Sequence, residues 1–464
     1  MTPKTKSHPH SSQKKNDKPE CSLFNPKKIP SDALDIIANF DSIVQNILPL
    51  NSRQMSKLPD DIRELSHQLT DERDTRRLSY MNEKTLLSAY TRYFMWWNLV
   101  RLTRLFSNID ISKTDLKDGD ICLDLGSGPL TTVSALWLSR PELRKKKLTW
   151  YCLDLSQTAL ALGEDIYLSI AAKTISEANN DRAQNETKTQ NKHDSDNSDV
   201  SQNTDGNADA PTPWKIIRVK GPLGTSIKQK ARLVTCANMF NEVFQSESRP
   251  LDFLAKKYTE DLFKYSDNTT SFIIIEPGVP RSARFISLLR DSFIRKGFSI
   301  QDPCPHAERC PMDGRLFKGA HNTCNPNSAK PAHANGDDIK TGKWCNFAFP
   351  VKNAPERLQK LSASAKLAKD RAVLSFVYAC PAGNTAPANS DKASADTRTL
   401  QLRIASDPIR LGDKTGFYAC SSLGLTLYIP KKGQLVFSGD LIAVAFPKNE
   451  LQRDKKSGAL IIEG

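Results

Sequence analysis

The sequence has no apolar run that approaches the length of a membrane-spanning helix. Its first 30 residues are polar and rich in lysine, so they also lack the apolar core of a secretory signal. From these two absences we expect neither a membrane-spanning nor a secreted protein, and we expect the chain to stay inside the cell. With 464 residues it is long enough for two or three domains.

Acidic residues are in the minority. The chain has 66 Lys and Arg against 52 Asp and Glu, which gives a formal net charge of +14. Such a charge favours an anionic partner, either nucleic acid or an anionic membrane surface. We expect nucleic acid, although charge alone specifies neither.

Five of the ten cysteines lack the setting of a reactive or bridging thiol. Cys122, Cys152 and Cys236 lie in apolar, strand-like runs, where a thiol behaves as a small buried hydrophobe. The reducing interior of the cell also disfavours disulfides. Cys21 and Cys324 lie in polar segments and are interpreted as incidental, with Cys324 kept as a reserve metal ligand.

Composition and periodicity divide the chain into six parts. They are a disordered basic arm (1–30), a helical N-terminal region (31–110), a core (111–300) with a disordered polar insertion (178–213), a Cys-rich loop (301–350), the end of the core (351–382) and a β-rich C-terminal extension (397–464).

The core alternates buried strands with helices, which predicts an α/β fold with a parallel sheet covered on both faces. The predicted strands are residues 121–125, 148–153, 215–219, 231–236 and 271–275.

Two arginines near the end of the helical region, Arg101 and Arg104, allow two interpretations. They could contact phosphates, or they could lie on a solvated edge of the helix.

A glycine-rich turn follows the first strand of the core, in the sequence Asp124-Leu-Gly126-Ser127-Gly128-Pro. Ligands of open α/β sheets bind at the carboxyl ends of the strands, where these glycines let the backbone approach a ligand closely. Asp154 ends the next strand, where a carboxylate typically binds ribose hydroxyls. The turn lacks the third glycine of dinucleotide folds, so S-adenosylmethionine is favoured over a nicotinamide cofactor.

The fourth strand leads into Asn238-Met-Phe-Asn241-Glu242. Amino-group methyltransferases usually have Asp/Asn-Pro-Pro-Tyr here, and this chain does not. Asn241 and Glu242 could orient a substrate or cap the next helix. Asn241 is retained as a candidate cofactor contact, and no residue is assigned to catalysis.

Three cysteines form a separate pattern: Cys304-Pro-His306, Cys310-Pro, and Trp-Cys345. Five residues separate the first two, wider than the roughly two to four of zinc knuckles, so the spacing fits an iron-sulfur cluster better than zinc. His306 is interpreted as a neighbour of the ligands rather than a ligand. A fourth ligand could be Cys324, Cys380 or Cys420.

These motifs, together with Glu276-Pro-Gly, resemble the methyltransferase-like proteins of the mitochondrial small ribosomal subunit and their bacterial relatives, over roughly residues 80–450. The resemblance implies a class I methyltransferase fold that binds S-adenosylmethionine, and a four-iron four-sulfur cluster held by Cys304, Cys310, Cys345 and Cys420. It also implies binding to small-subunit ribosomal RNA during assembly. We expect a monomer, cytoplasmic in a bacterium and in the mitochondrial matrix of a eukaryote.

Three functions remain open at this stage. The chain could be a methyltransferase acting on the small ribosomal subunit. It could instead be an inactive assembly factor that uses the fold as an RNA-binding scaffold. A zinc-stabilised nucleic-acid-binding protein is the third.

Overall fold

The computed structural model of the chain describes residues 22–70, 80–190, 211–243, 247, 249–318, 339–384 and 399–464. Within these ranges no helix is both long and apolar enough to cross a membrane.

The N-terminal region is helical because its apolar residues recur every three or four positions. On its last helix, Trp96, Leu99 and Leu102 follow this spacing and are almost fully buried. The helices are α1 (Ser31–Ala38), α2 (Phe40–Ile47), α3 (Ser52–Thr70), α4 (Lys84–Ala89) and α5 (Trp96–Phe106), with a π-helical turn at Tyr90–Met95 joining the last two.

The core begins with β1 (Ile121–Leu125) and ends with β10 (Arg371–Pro381). Between them lie α6 (Thr131–Ser139), α7 (Pro141–Arg144), β2 (Thr149–Asp154), α8 (Gln157–Gln190), β3 (Lys215–Lys220), β4 (Leu233–Ala237), α9 (Phe240–Val243), α10 (Leu251–Phe263), β5 (Ser271–Pro277), α11 (Pro280–Arg295), β6 (Phe298–Asp302), β7 (Leu316–Lys318), β8 (Ile339–Thr341), β9 (Phe347–Pro350) and α12 (Glu356–Ser364).

The central sheet has the strand order β3-β2-β1-β4-β5-β10-β6, with β9 paired to β10. The five strands from β3 to β5 are parallel, while β10 runs antiparallel to both β5 and β6. This order, with one reversed strand near the edge, is that of class I methyltransferases. The predicted fold class is confirmed, and the five predicted strands are parallel as expected, with the reversed β10 and its neighbour β6 added at one edge.

Helices cover both faces of this sheet. Alternate side chains of β1, such as Leu123 and Leu125, pack with α10 and α11, whereas Cys122 packs on the opposite side with the N-terminal helices. Cys122, Cys152 and Cys236 are fully buried, as apolar strand positions require.

The C-terminal extension is a separate six-stranded sheet with the order β15-β11-β13-β14-β16, in which β12 pairs with β13. All pairings are antiparallel except that of β14 with β16. The order of these five strands, β15-β11-β13-β14-β16, is the strand order of an OB-type open barrel. The strands are β11 (Thr399–Ile404), β12 (Ile409–Leu411), β13 (Lys414–Ser421), β14 (Gly424–Ile429), β15 (Leu441–Ala445) and β16 (Leu460–Glu463).

Residues 1–30 were expected to form a disordered basic arm. This prediction is wrong for residues 22–30, which are ordered. Leu23 and Phe24 are buried, and the Leu23 amide donates to the Gly439 carbonyl of the extension at 3.1 Å. The burial of these two apolar residues offsets part of the cost of ordering the segment. Residues 1–21, including Cys21, lie outside the described residues.

The expected polar insertion of residues 178–213 is also corrected at its start. Helix α8 extends to Gln190, because adding residues to an existing helix is far easier than starting one. Residues 191–210 lie outside the described part of the chain, and the core resumes at Trp214, which is 2% exposed.

Neither interpretation of the two arginines is correct. The Arg101 guanidinium is buried and donates to the Val373 carbonyl and to Asn238. Arg104 donates to the Phe24 carbonyl and lies over the Phe349 ring. Both side chains therefore connect the N-terminal helices to other parts of the fold.

Replacing Trp214 by alanine should destabilise the protein by about 3–5 kcal/mol. The Trp214 ring packs against Trp137, Trp150 and Tyr167, and its indole N–H donates to the Leu143 carbonyl at 3.1 Å. Urea unfolding measures the change. Leu435→Ala, at a side chain 50% exposed, is the control and should change stability by less than about 0.5 kcal/mol. Equal effects of the two changes would contradict the packing role of Trp214.

Candidate functional site

The glycine-rich turn after β1 is held against β2. The Ser127 amide donates to the Leu153 carbonyl at 3.1 Å, and the Ser127 hydroxyl donates to the Asp124 carbonyl at 2.8 Å. Gly126 and Gly128 have φ of +64° and +49°, a region that side-chain-bearing residues rarely adopt. A Cβ on Gly126 would also lie 2.6 Å from Met239 Cβ. The turn thus requires glycine both for its backbone and for the close approach of Met239.

Asp154, at the end of β2, faces the same turn. Its carboxylate accepts hydrogen bonds from the Gly128 amide at 2.9 Å and from the Ser156 amide at 2.8 Å. Burial raises the pKa of Asp154, and these backbone donors oppose the rise. Each oxygen of a carboxylate has two lone pairs, so Asp154 can still accept bonds from a ligand.

Gly126 and Asp154 line one cavity of about 380 Å³ at the carboxyl edge of the sheet. This is the edge where the strand order reverses between β1 and β4, the usual ligand position in such sheets. The cavity combines apolar side chains, which suit a purine ring, with carboxylates, which suit hydroxyls and positive charge. The apolar residues include Met81, Leu155, Pro222, Leu223, Met239 and Val243, and the charged ones are Asp154, Glu242, Glu247, Lys257 and Asp261.

Asp124 does not line this cavity. Its side chain is fully buried, and Oδ1 accepts a hydrogen bond from the Thr235 hydroxyl at 2.6 Å. Burial raises the pKa of Asp124 to about 7, and the nearby Asp154 charge adds to the rise. Oδ2 is buried without a hydrogen-bond partner among the described residues. The structure therefore places Asp124 behind the glycine-rich turn, while Ser127 and Gly128 connect the turn to β1 and β2.

Asn241 is also not among the residues that line the cavity. In the amide orientation that satisfies both neighbours, its nitrogen donates to the Asn238 carbonyl at 2.5 Å and to the Glu276 carboxylate at 3.0 Å. The amide nitrogen of Asn241 is therefore used inside the protein, and its contact with a cofactor stays a prediction. Glu242, the next residue, does line the cavity.

Glu276, rather than Asn241, caps the short helix α9. Its carboxylate accepts from the Phe240 amide at 2.8 Å and the Asn241 amide at 3.1 Å. Burial raises the pKa of Glu276 to about 8, although these donors and Arg101 favour the charged form. The sequence signal was Glu276-Pro-Gly at the end of β5, which predicted a strand end but not the cap.

The four predicted cysteine ligands lie on separate elements. Cys304 and Cys310 follow β6, Cys345 precedes β9, and Cys420 lies on β13 of the extension. The described ends of the interval between Cys310 and Cys345 pair as the antiparallel strands β7 and β8, and the Cys345 amide donates to the Met312 carbonyl at 2.9 Å. The Trp344 indole N–H donates to the Gly278 carbonyl at 3.0 Å.

Cys420 faces the Cys-rich segment from the extension. Its Sγ lies 2.8 Å from His306 Nε2. Burial raises the pKa of the Cys420 thiol, and interactions with Cys310, Cys304 and Cys345 raise it further. The pKa of Cys310 is raised to about 11, again chiefly by burial. The structure thus brings Cys420 against the segment that carries Cys304 and Cys310. Cys310 and Cys420 are buried, whereas Cys304 and Cys345 are half-buried. We call these four residues the cysteine group.

The other two candidates for a fourth ligand do not join this group. Cys380 is buried on β10 and lies 3.3 Å from the Ser271 hydroxyl. Cys324 lies outside the described residues. As the described side chains stand, no three His, Cys, Asp or Glu residues form a group that could hold a metal ion.

Two buried arginines beside the cysteines were missed by the sequence reasoning. On α11, Arg290 Nε donates to Cys304 Sγ at 3.1 Å. On β11, Arg403 donates to the Pro303 carbonyl at 2.8 Å and pairs with Asp302 at 2.9 Å. Neither arginine lies in a motif with the cysteines, so only the folded arrangement reveals them.

Comparison with solved structures returns methyltransferases of low similarity. A S-adenosylmethionine-dependent methyltransferase from Geobacter sulfurreducens, solved with S-adenosyl-L-homocysteine, has 13% identity and a TM-score of 0.24, over 44% of this chain and 64% of that one. The ribosomal protein L11 methylase from Lactobacillus delbrueckii subsp. bulgaricus has 13% identity and a TM-score of 0.25, over 46% and 74%. The plantazolicin methyltransferase BpumL, in complex with SAH, has 11% identity and a TM-score of 0.27, over 73% and 99%. At these scores the fold assignment rests on the strand order instead.

No curated protein matches the sequence. The family model described as "Mitochondrial small ribosomal subunit Rsm22" matches residues 87–325, which is more than half of the chain and includes the glycine-rich turn, Asp154, Cys304 and Cys310. This chain therefore belongs to the Rsm22 family of the mitochondrial small ribosomal subunit.

Proposed function

We propose that this chain binds S-adenosylmethionine in the cavity lined by Gly126 and Asp154, and that it acts on the small ribosomal subunit as an RNA-binding assembly factor. The cavity at the point of strand reversal is the observation that carries the cofactor assignment. S-adenosylmethionine has ribose hydroxyls, a purine ring and a positive charge, and the cavity offers groups suited to each.

The family name and the net charge of +14 support ribosomal RNA as the partner. The compartment would be the one that holds that ribosome, the mitochondrial matrix, with the protein acting as a monomer.

We favour a binding role over methyl transfer because of the residues that follow β4. Among these residues, Asn238 accepts a hydrogen bond from Arg101 at 2.9 Å, and the Asn241 amide nitrogen donates one to Glu276. Side chains held by internal hydrogen bonds are poorly placed to bind an incoming amino group. Methyl transfer stays the second candidate, because the cavity is also lined by the carboxylate of Glu242, directly after Asn241.

The four cysteines would hold a four-iron four-sulfur cluster. The donor set fits such a cluster: four thiols, which are soft ligands, two of them buried and two half-buried, with two buried guanidinium groups to offset the negative charge of an iron-thiolate centre. When bound, the cluster supplies four iron-sulfur bonds. Because Cys420 lies on the extension and the other three follow the core, those bonds would cross-link the two parts. The thiols would reorient on binding, since they form no metal site as they stand.

Asp154→Ala should weaken S-adenosylmethionine binding by about ten- to a hundredfold, because hydrogen bonds to a charged group are worth about 1.5–3 kcal/mol each. Isothermal titration calorimetry measures the affinity. Asp165→Ala removes an exposed carboxylate from α8, the next helix, and is the matched control. Unchanged affinity in Asp154→Ala would refute the cofactor site.

Cys420→Ser should lose most of its iron, whereas Cys380→Ser should keep it. Both cysteines are buried on strands. A loss of iron in Cys420→Ser alone would therefore reflect the loss of a ligand and not the replacement of a buried thiol. Anaerobic purification, followed by iron and sulfide analysis and a visible spectrum, tests this. We expect about four iron and four sulfide per wild-type chain. Zinc without iron would reject the cluster, and loss of iron in Cys380→Ser alone would reassign the fourth ligand.

The two candidate functions differ in what Asp154→Ala does in cells. If the protein acts as a binding scaffold, this variant should still support small-subunit assembly, whereas Cys420→Ser should not. Sucrose-gradient profiles of ribosomal subunits measure assembly. Failed assembly in Asp154→Ala, together with the loss of a methyl group from the subunit, would favour methyl transfer instead.

A further inference from the structure

Arg290 makes an unusually complete set of contacts beside the cysteines. It lies on α11 of the core, and only 2% of the residue is exposed. Nε donates to Cys304 Sγ at 3.1 Å, and Nη1 donates to Asp291 at 2.8 Å. Nη2 donates to the His306 and Glu308 carbonyls, both at 2.8 Å. All three guanidinium nitrogens are therefore used.

These contacts hold the segment that carries two of the proposed ligands. The carbonyls of residues 306 and 308 lie between Cys304 and Cys310, so one rigid side chain fixes both the backbone of this segment and the sulfur of its first cysteine. Lysine could not reproduce the arrangement, because its single ammonium group has no planar fork.

The charge of Arg290 is also poorly neutralised locally. Its nearest carboxylate, Asp291, is one-third exposed, so solvent screens that pair in part. The other groups around the guanidinium are two neutral carbonyls and a sulfur atom. A buried positive charge therefore lies against Cys304, one of the four proposed ligands.

We propose that Arg290 is a positioning residue for the iron-sulfur cluster, which raises its reduction potential through the N–H···S bond to Cys304 and through its buried positive charge. This inference rests on the proposed cluster. Hydrogen bonds to the sulfurs and net charge are two of the factors that set cluster potentials. Reduction adds one electron and hence one negative charge, and a nearby fixed cation stabilises the reduced form more than the oxidised form.

The test is an anaerobic redox titration with dithionite as the electron donor, followed by electron paramagnetic resonance. One electron enters the cluster, and no iron-sulfur bond is formed or broken. Arg290→Gln, which removes the charge and the fork, should lower the midpoint potential. Arg290→Lys, which keeps the charge but loses the fork, should lower it less. Arg295→Gln, an exposed arginine on the same helix that bonds only to Ser292 within the described contacts, should leave it unchanged.

The iron content distinguishes a failure of the proposed cluster from a failure of the proposed role of Arg290. A wild-type protein without iron refutes the proposed cluster itself. Full iron in Arg290→Gln with an unchanged potential refutes the role of Arg290 alone, as does a wild-type cluster that dithionite cannot reduce.

If both Arg290 variants lose their iron, their potentials cannot be compared, and the proposal is then tested on the wild-type protein. Growth with arginine labelled with ¹⁵N in its guanidinium group should give a nitrogen coupling to the reduced cluster in electron-nuclear double resonance spectra. Absence of that coupling would overturn the proposal.

Discussion

The burial of two positive charges at the junction between the central sheet and the C-terminal barrel is the constraint on which the arrangement of this protein depends. Arg290 comes from the core and Arg403 from the extension, and each donates to backbone carbonyls of the segment that follows β6. A buried guanidinium is costly unless its donors are satisfied. Satisfying both cations requires this segment to lie between the two parts of the chain, and the segment carries Cys304.

This constraint also explains the unusual use of the barrel. In OB-type barrels the outer face of the second and third strands commonly binds oligonucleotides. Here the second strand, β13, turns Cys420 toward His306, and its Tyr418 ring contacts Lys343 at 3.6 Å. The β13 part of that face therefore contacts the protein's own Cys-rich segment. In the proposed function, ribosomal RNA would contact other surfaces of the protein.

The sequence predicted the parts of the molecule that depend on local pattern. The strand-turn-helix around Gly126 is one example, because only glycine tolerates the backbone and the approach of Met239, and the placing of Asp154 at the next strand end follows from regular alternation. The reversal of β10 could not be predicted in this way, since an apolar strand has the same composition in either direction.

Long-range polar contacts were the least predictable. Arg101 has the sequence setting of an exposed helical arginine, yet its partners Asn238 and Val373 are more than 130 residues away. Asn241 lies at the predicted strand end, but Glu276 supplies the cap and turns the Asn241 amide inward. When several polar groups could form the same buried hydrogen bond, tertiary packing decides which of them does so. The local sequence pattern does not contain that information.

The contacts of Asn238, Asn241 and Glu276 bear directly on the choice between catalysis and scaffolding. A catalytic residue at the end of β4 needs a free side chain and room for a substrate, but a buried hydrogen-bond network loses stability when one partner is withdrawn. For Asn238 or Asn241 to orient a substrate, the bonds to Arg101 and Glu276 would have to break, leaving a buried cation and a buried carboxyl with fewer partners. That cost would fall on every catalytic cycle. The proposed scaffold role incurs no such cost, because the same network then only holds the segment after β4, which carries the cavity-lining residues Met239 and Glu242. The network therefore fits the proposed binding role better than it fits methyl transfer.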